Sequence, residues 1–214
     1  MKKKLVLLIT IFIVMILSLC TCTKKEKDPS KVIQYLKSLN SYTCDVEVHI
    51  KNNIQEIDHL CKQFYHKEYG HRLDINKDRV LIYRENDISV KDLNNNSQYT
   101  LDKNFDSVYK LSFIGEYIGL LYTNEEIKYS FETIEDKMYQ LIYLDIPGNN
   151  SNISSAIMYV NLENDFPDKI VIYNRKEKEC IRFVYKNFSP NTDIQEEIFK
   201  EQINNEQINN ETKE

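Results

Sequence analysis

Apolar residues recur along this chain with two different periods. From Tyr42 the period is two: Tyr42, Cys44, Val46, Val48 and Ile50 share one face, as in a half-buried strand. Just before it, Val32, Ile33, Tyr35, Leu36 and Leu39 recur at three- and four-residue steps. That spacing predicts a helix capped by Ser30 and ended by Asn40-Ser41. A turn at Asn52-Asn53 leads into a second strand over about Leu60 to Ile75. Arg79 to Arg84 and Ile88 to Leu93 follow as a hairpin around Glu85-Asn86-Asp87. Asn94-Asn95-Asn96-Ser97 then turns into a strand ending near Leu101.

The stretch from Phe105 to Tyr122 changes period. Val108, Leu111, Phe113, Ile114, Tyr117, Ile118 and Leu121 form a broad apolar helical stripe interrupted by Gly115 and Gly119. Alternation resumes in Lys128 to Glu132 and Met138 to Ile146, before a loop at Pro147-Gly148-Asn149-Asn150. Ser155 to Leu162, Lys169 to Asn174 and Glu179 to Tyr185 complete the strands. Asn187 to Ile198 reads as an ordered strap over the sheet. Beyond it Glu201-Gln202-Ile203-Asn204-Asn205 repeats at once as Glu206-Gln207-Ile208-Asn209-Asn210, too polar to pack and expected to be disordered. The order helix, strands, helix, strands predicts an α+β domain. It has one antiparallel sheet of about eight or more strands, helices on one face and water on the other.

The N-terminus has a different logic. Met1-Lys2-Lys3-Lys4 precedes an apolar run from Leu5 to Leu19, the layout of a secretory signal. As a helix the run spans only about 22 Å, short of a hydrocarbon core of about 30 Å. It ends in Leu17-Ser18-Leu19-Cys20-Thr21-Cys22, which resembles the lipobox of bacterial lipoproteins. Leu19 is bulky for the position before a modified cysteine, so Cys22 is the preferred lipid-attachment residue and Cys20 the alternative. The other reading of the run is an uncleaved N-terminal anchor; in both the body faces outward. The expected partition is a signal over 1–21, a tether over 22–30, a folded domain over 31–199 and a polar tail over 200–214.

A net charge of -5, with both signs interspersed, leaves no basic footprint for nucleic acid. Fifteen Tyr against 4 Gly suit a pleated surface where rings pack and hydroxyls stay wet. Cys44, Cys61 and Cys180 match no zinc spacing and read as buried thiols, with one disulfide left open as an alternative.

Catalytic motifs are missing from the sequence: there is no G-x-S-x-G, phosphate-binding loop, H-E-x-x-H or paired C-x-x-C. His66, Glu68 and His71, with His59 as an extra, are the nearest thing to a metal set, but on a strand His71 falls on the opposite face from the other two. The expectation is ordinary strand surface, with no metal and no cofactor. Glu125, Glu126, Glu132, Glu135 and Asp136 read as solvated charge rather than paired catalytic carboxylates. The helical stripe supplies the candidate apolar cavity or partner surface, Leu111, Ile114, Tyr117, Ile118 and Leu121; packing as a core helix is the reading that competes with it.

Several segments together resemble the LolA-like superfamily. They are the lipobox, the strand from Ser41-Tyr42, Gln63-Phe64-Tyr65 leading to His71-Arg72-Leu73-Asp74, and the hairpin around Arg79 to Tyr83. Phe166-Pro167-Asp168-Lys169-Ile170, Ile181 to Phe188, Asn191 and Ile194 to Phe199 continue the likeness. The resemblance implies a LolA/LolB-like curved sheet, an open half-barrel with helices on its concave face. Within the superfamily the chain is similar to the clostridial germination lipoprotein GerS family. That likeness implies a non-enzymatic lipoprotein, on a forespore membrane facing the cortex, that partners a spore-cortex N-acetylmuramoyl-L-alanine amidase and supports muramic-δ-lactam formation. The alternative is a lipid- or lipoprotein-binding LolA-like module at the outer face of the cell membrane. A protein fixed by its own lipid cannot shuttle between membranes as a soluble carrier does. Open edge strands also allow a homodimer.

Overall fold

The computed structural model describes residues 28–52, 54–106 and 108–200. The expected signal, both junction cysteines and the repeat from Glu201 lie outside the described residues. Helix α1 (Pro29–Lys37) opens the fold. Its cap is Asp28 rather than the expected Ser30: the Asp28 carboxylate accepts from the Ser30 N–H at 3.0 Å, and Pro29 takes the first helical position. The strands are β1 (Ser41–Lys51), β2 (Glu56–His66), β3 (Gly70–Ile75), β4 (Arg79–Tyr83), β5 (Asp87–Asp92) and β6 (Ser97–Asp102). After helix α2 (Ile114–Leu121) come β7 (Lys128–Ile134), β8 (Lys137–Asp145), β9 (Ser155–Asn161), β10 (Phe166–Tyr173) and β11 (Glu179–Pro190).

All eleven strands belong to one antiparallel sheet in the order β6-β5-β4-β3-β2-β1-β11-β10-β9-β8-β7. The first strand and the last pair at its centre, and two meanders run outward from that seam. The α+β class with an open antiparallel sheet is therefore as expected. Alternation sets the faces. On β1, Tyr42, Cys44, Val46 and Val48 are buried toward the helices, and the residues between them turn to the other face.

Curvature follows from distances. Seven strand spacings separate β4 from β8, roughly 34 Å if the sheet were flat at 4.8 Å each. Yet the Phe113 ring meets Tyr83 of β4 at 5.3 Å, and Tyr117 donates to the Ile142 carbonyl of β8 at 2.8 Å. A stretch of five residues cannot bridge a flat sheet of that width. The sheet curls around the α2 segment and stays open, with β6 and β7 as free edges.

Three local expectations change. The strand expected over Leu60 to Ile75 is two strands, because Lys67-Glu68-Tyr69 turns and Gly70 adopts φ +98°. The helix expected from Phe105 is a single 3-10 turn, Tyr109–Ser112, then α2. Asp106 causes this: its carboxylate accepts from the N–H groups of Val108, Tyr109 and Lys110, and Phe113 is extended (φ -79°, ψ 125°). Finally, β11 runs on to Pro190 and absorbs the start of the expected strap. The remainder crosses the outer face, where the Ile198 carbonyl accepts from Arg72 at 2.9 Å and Phe199 packs against Tyr69.

Gly70 is irreplaceable on two counts, its positive φ and the 2.9 Å that would separate an added Cβ from the Tyr83 carbonyl oxygen. Gly70→Ala should cost about 2 kcal/mol or more in urea unfolding. Gly119→Ala, on a helix with open space around the new carbon, should instead stabilise by roughly 0.5 kcal/mol.

Candidate functional site

Inward of the β7 edge, the inner face of the sheet is sealed by α1, α2 and the turn before α2. Leu111, Ile114, Tyr117, Ile118 and Leu121 are all buried, and all belong to the continuous core with Tyr42, Met158, Ile172 and Phe183. The structure thus brings the five sequence-predicted residues together, as packing between helix and sheet.

Polar groups fix this plug as well as apolar packing. Ser112 is the hub: its hydroxyl accepts from the Gln63 amide of β2 and donates to the Tyr109 carbonyl at 2.6 Å, while its carbonyl accepts from the Tyr185 hydroxyl of β11. Gln63 accepts in turn from the Cys44 thiol at 3.6 Å. The Ile114 N–H, left without a helical partner at the start of α2, donates to the Tyr42 hydroxyl at 3.2 Å. Tyr117 shares its hydroxyl proton between the carbonyls of Ile142, at 2.8 Å, and Ala156, at 3.2 Å. The Tyr83 hydroxyl donates to Asp106 at 2.6 Å. Burial pushes the phenols of Tyr42, Tyr83, Tyr117 and Tyr185 well above their ordinary range, so they stay neutral. Buried groups paired in this way hold one arrangement and are costly to separate.

The expected metal set is scattered. His66 stacks on Tyr69 at 4.0 Å, and Glu68 sits in the turn, its N–H donating to His66 Nδ1 at 3.3 Å. His71 points inward against Phe113 and Tyr65, with its Nε2 unpaired. His59 bonds Asn76 on another part of β2. Among the described residues no three His, Cys, Asp or Glu side chains gather as metal ligands. Glu125, Glu126, Glu132, Glu135 and Asp136 are exposed and divided between a loop, the outer side of β7 and a turn. Cys44, Cys61 and Cys180 are free, and burial raises the Cys61 thiol to about 12.

Open grooved surface lies on the other face. Asp45, Glu47, Lys62, Arg72, Asp74 and Lys186 line a shallow groove of about 720 Å³ across β1–β4 and β11. An ion pair between Arg72 and Asp74, 2.7 Å long, forms part of its floor. Leu60, 71% exposed on β2, and Leu93, 46% exposed beyond β5, border it as unpaired apolar side chains. Sequence reasoning missed this groove, although Leu60 falls at an alternating position beside charged neighbours. Among the described residues no helix is long and apolar enough to cross a membrane.

The family described as "YdcC: Sporulation protein YdcC-like" matches residues 2–199. A curated relative, the repetitive organellar protein of Plasmodium falciparum (isolate 3D7), is 24% identical over 186 residues. That match covers 81% of this chain and only 9% of the length of that protein. Among solved structures, an uncharacterized conserved protein from Thermus thermophilus shares the fold at 10% identity and a TM-score of 0.54, covering 81% of this chain and 94% of that one. LolA superfamily protein NE2245 from Nitrosomonas europaea superposes with a TM-score of 0.42 at 11% identity, over 81% and 97% of the two chains. A chain in the structure of the CwlD amidase from Clostridioides difficile in complex with the GerS lipoprotein gives 0.41 at 19% identity, over 78% and 96%.

His71 offers a test of the seal. Burial, then the nearby Lys110 charge, holds its pKa down to about 4, so the folded state favours the neutral ring. This contribution is complete above the unfolded value of about 6.5 and is lost as pH falls toward about 4. Urea unfolding should show about 2 kcal/mol less stability from this residue at pH 5 than at pH 7.5. In His71→Phe that part of the pH dependence should vanish.

Proposed function

The chain belongs to the YdcC-like sporulation protein family, and from that premise we propose that it is a non-enzymatic, membrane-anchored holding protein of spore formation. It is lipidated at Cys22, faces the cortex from a forespore membrane, and binds and supports a spore-cortex N-acetylmuramoyl-L-alanine amidase. Through that partner it enables the muramic-δ-lactam modification of the cortex. The observation that carries the reading is the sealed inner face. The plug around Ser112 occupies the position where a carrier would need space for acyl chains, and its buried bonds oppose opening. Binding is therefore assigned to the outer face, where a groove with charges of both signs and two exposed leucines offers an anchor-and-rim surface. The sporulation family and the sequence likeness to germination lipoproteins point to the class of partner.

The full chain, purified from sporulating cells, should bring down a cortex amidase in near-stoichiometric amount. Leu60→Asp together with Leu93→Asp should weaken capture by roughly tenfold or more while leaving the melting temperature close to that of the unmodified chain. Recovery of bound fatty acid or phospholipid without an amidase would instead establish a lipid-binding module.

A further inference from the structure

The densest exposed apolar surface among the described residues lies at the β7 edge, on the helix side. Tyr122, Tyr129, Phe131 and Met138 are 52%, 48%, 44% and 37% exposed, although the period of the sheet turns Tyr129, Phe131 and Met138 toward the core side. They escape burial because α1 and α2 do not extend over the outermost strand. The Tyr129 and Phe131 rings meet edge to face at 5.9 Å, and Lys37 Nζ lies 4.1 Å over the Tyr122 ring. The strip combines rings that carry a polar tip with one Phe and one Met.

The place where the chain enters the fold decides what covers this strip. The Pro29 carbonyl accepts from Gln140 of β8 at 3.0 Å, and Gln140 is the direct cross-strand partner of Phe131. Asp28, Pro29 and Ser30 share the walls of a cavity of about 220 Å³ with Tyr122 and Tyr129. The first described residues and the aromatic strip are thus one surface. From Cys22 to Asp28 is six residues, which reach at most about 20 Å when fully extended. A lipid on Cys22 therefore keeps Asp28, which adjoins the strip, within that distance of the bilayer. Tyrosine favours the membrane–water boundary because its ring is apolar and its hydroxyl stays wet.

Resting on the lipidation proposed above, we propose that Tyr122, Tyr129, Phe131 and Met138 seat in the headgroup–acyl boundary of the membrane that holds the chain, turning the β7 edge toward the bilayer. Charge alone does not bring the strip there. Glu125 and Glu126 follow Tyr122, and Glu135 and Asp136 make the β7–β8 turn, so acidic loops stand at both ends. The tether supplies the local concentration, and the rings supply the orientation.

The chain contains no tryptophan, so Phe131→Trp introduces a single fluorescent reporter at the strip. Leu60→Trp does the same on the opposite face of the sheet. Both positions are exposed, and both variants should melt with the unmodified chain. Each is made as the full lipidated protein and reconstituted in phosphatidylcholine vesicles whose acyl chains carry bromine close to the headgroup. Emission from the Phe131→Trp variant should shift to the blue and fall by roughly half or more, a burial depth of about 5–10 Å. The Leu60→Trp variant should keep its unbrominated intensity. A Phe131→Trp protein that floats with the vesicles but stays unquenched overturns the strip and spares the anchor. A protein that does not float overturns both. Emission from the Phe131→Trp variant that follows protein concentration and ignores bromine assigns the strip to a second copy of the chain and also overturns the proposal.

Discussion

Two short helices and a 3-10 turn have to cover most of one face of an eleven-stranded sheet, and the rest of the structure answers to that demand. Helix α2 has eight residues and is about 12 Å long, far less than the width of the strands it shields. Shielding becomes feasible only if the sheet curls, so that strands seven positions apart reach the same helix. A short helix also carries a high proportion of unpaired backbone ends, and these need partners inside an apolar core. Tyrosine meets both requirements: Tyr42 and Tyr117 reach from one layer to backbone groups of the other, and Tyr185 does so for Ser112. The abundance of tyrosine in the composition is in part the signature of this architecture.

Much of that was legible in the residues. The alternation on β1, β9 and β11 reports directly which side is buried, because a strand's period is fixed by its backbone. What escaped was decided by single side chains and by long-range contacts. Asp106 stops the helical stripe from starting early, and no periodicity marks a carboxylate that caps three amides. Gly70 hides a turn inside what reads as one long strand. Leu111, Ile114, Tyr117, Ile118 and Leu121 were legible as an apolar stripe, but only the curl of the sheet determines whether such a stripe lines a space or fills it. The outer groove is spread over five strands from both ends of the chain, and adjacency of that kind has no local signal.

The two faces divide the work. Where the helices cover it, the inner face is committed to stability, with its hydroxyls, amide and thiol used up in mutual bonds. The outer face keeps charges of both signs and two bare leucines, and the strap from Asn191 to Lys200 crosses only part of it. Family membership places the chain in sporulation, and the holding role proposed above draws on the outer face because the interior is already filled.

The central seam between β1 and β11 has a temporal consequence. Ser41 and Thr192, bonded across it, are 151 positions apart, so the two innermost strands emerge from synthesis first and last. Each meander can form its own hairpins early, but the middle of the sheet cannot be joined until the final strand arrives. Until then β1 and β10 each present a bare edge beside an unfinished core, the condition in which β-rich chains mispair with one another. A chain cut short before Glu179 would keep ten of its strands and lose the one that unites them. The protein's cooperativity therefore resides in β11, the strand made last.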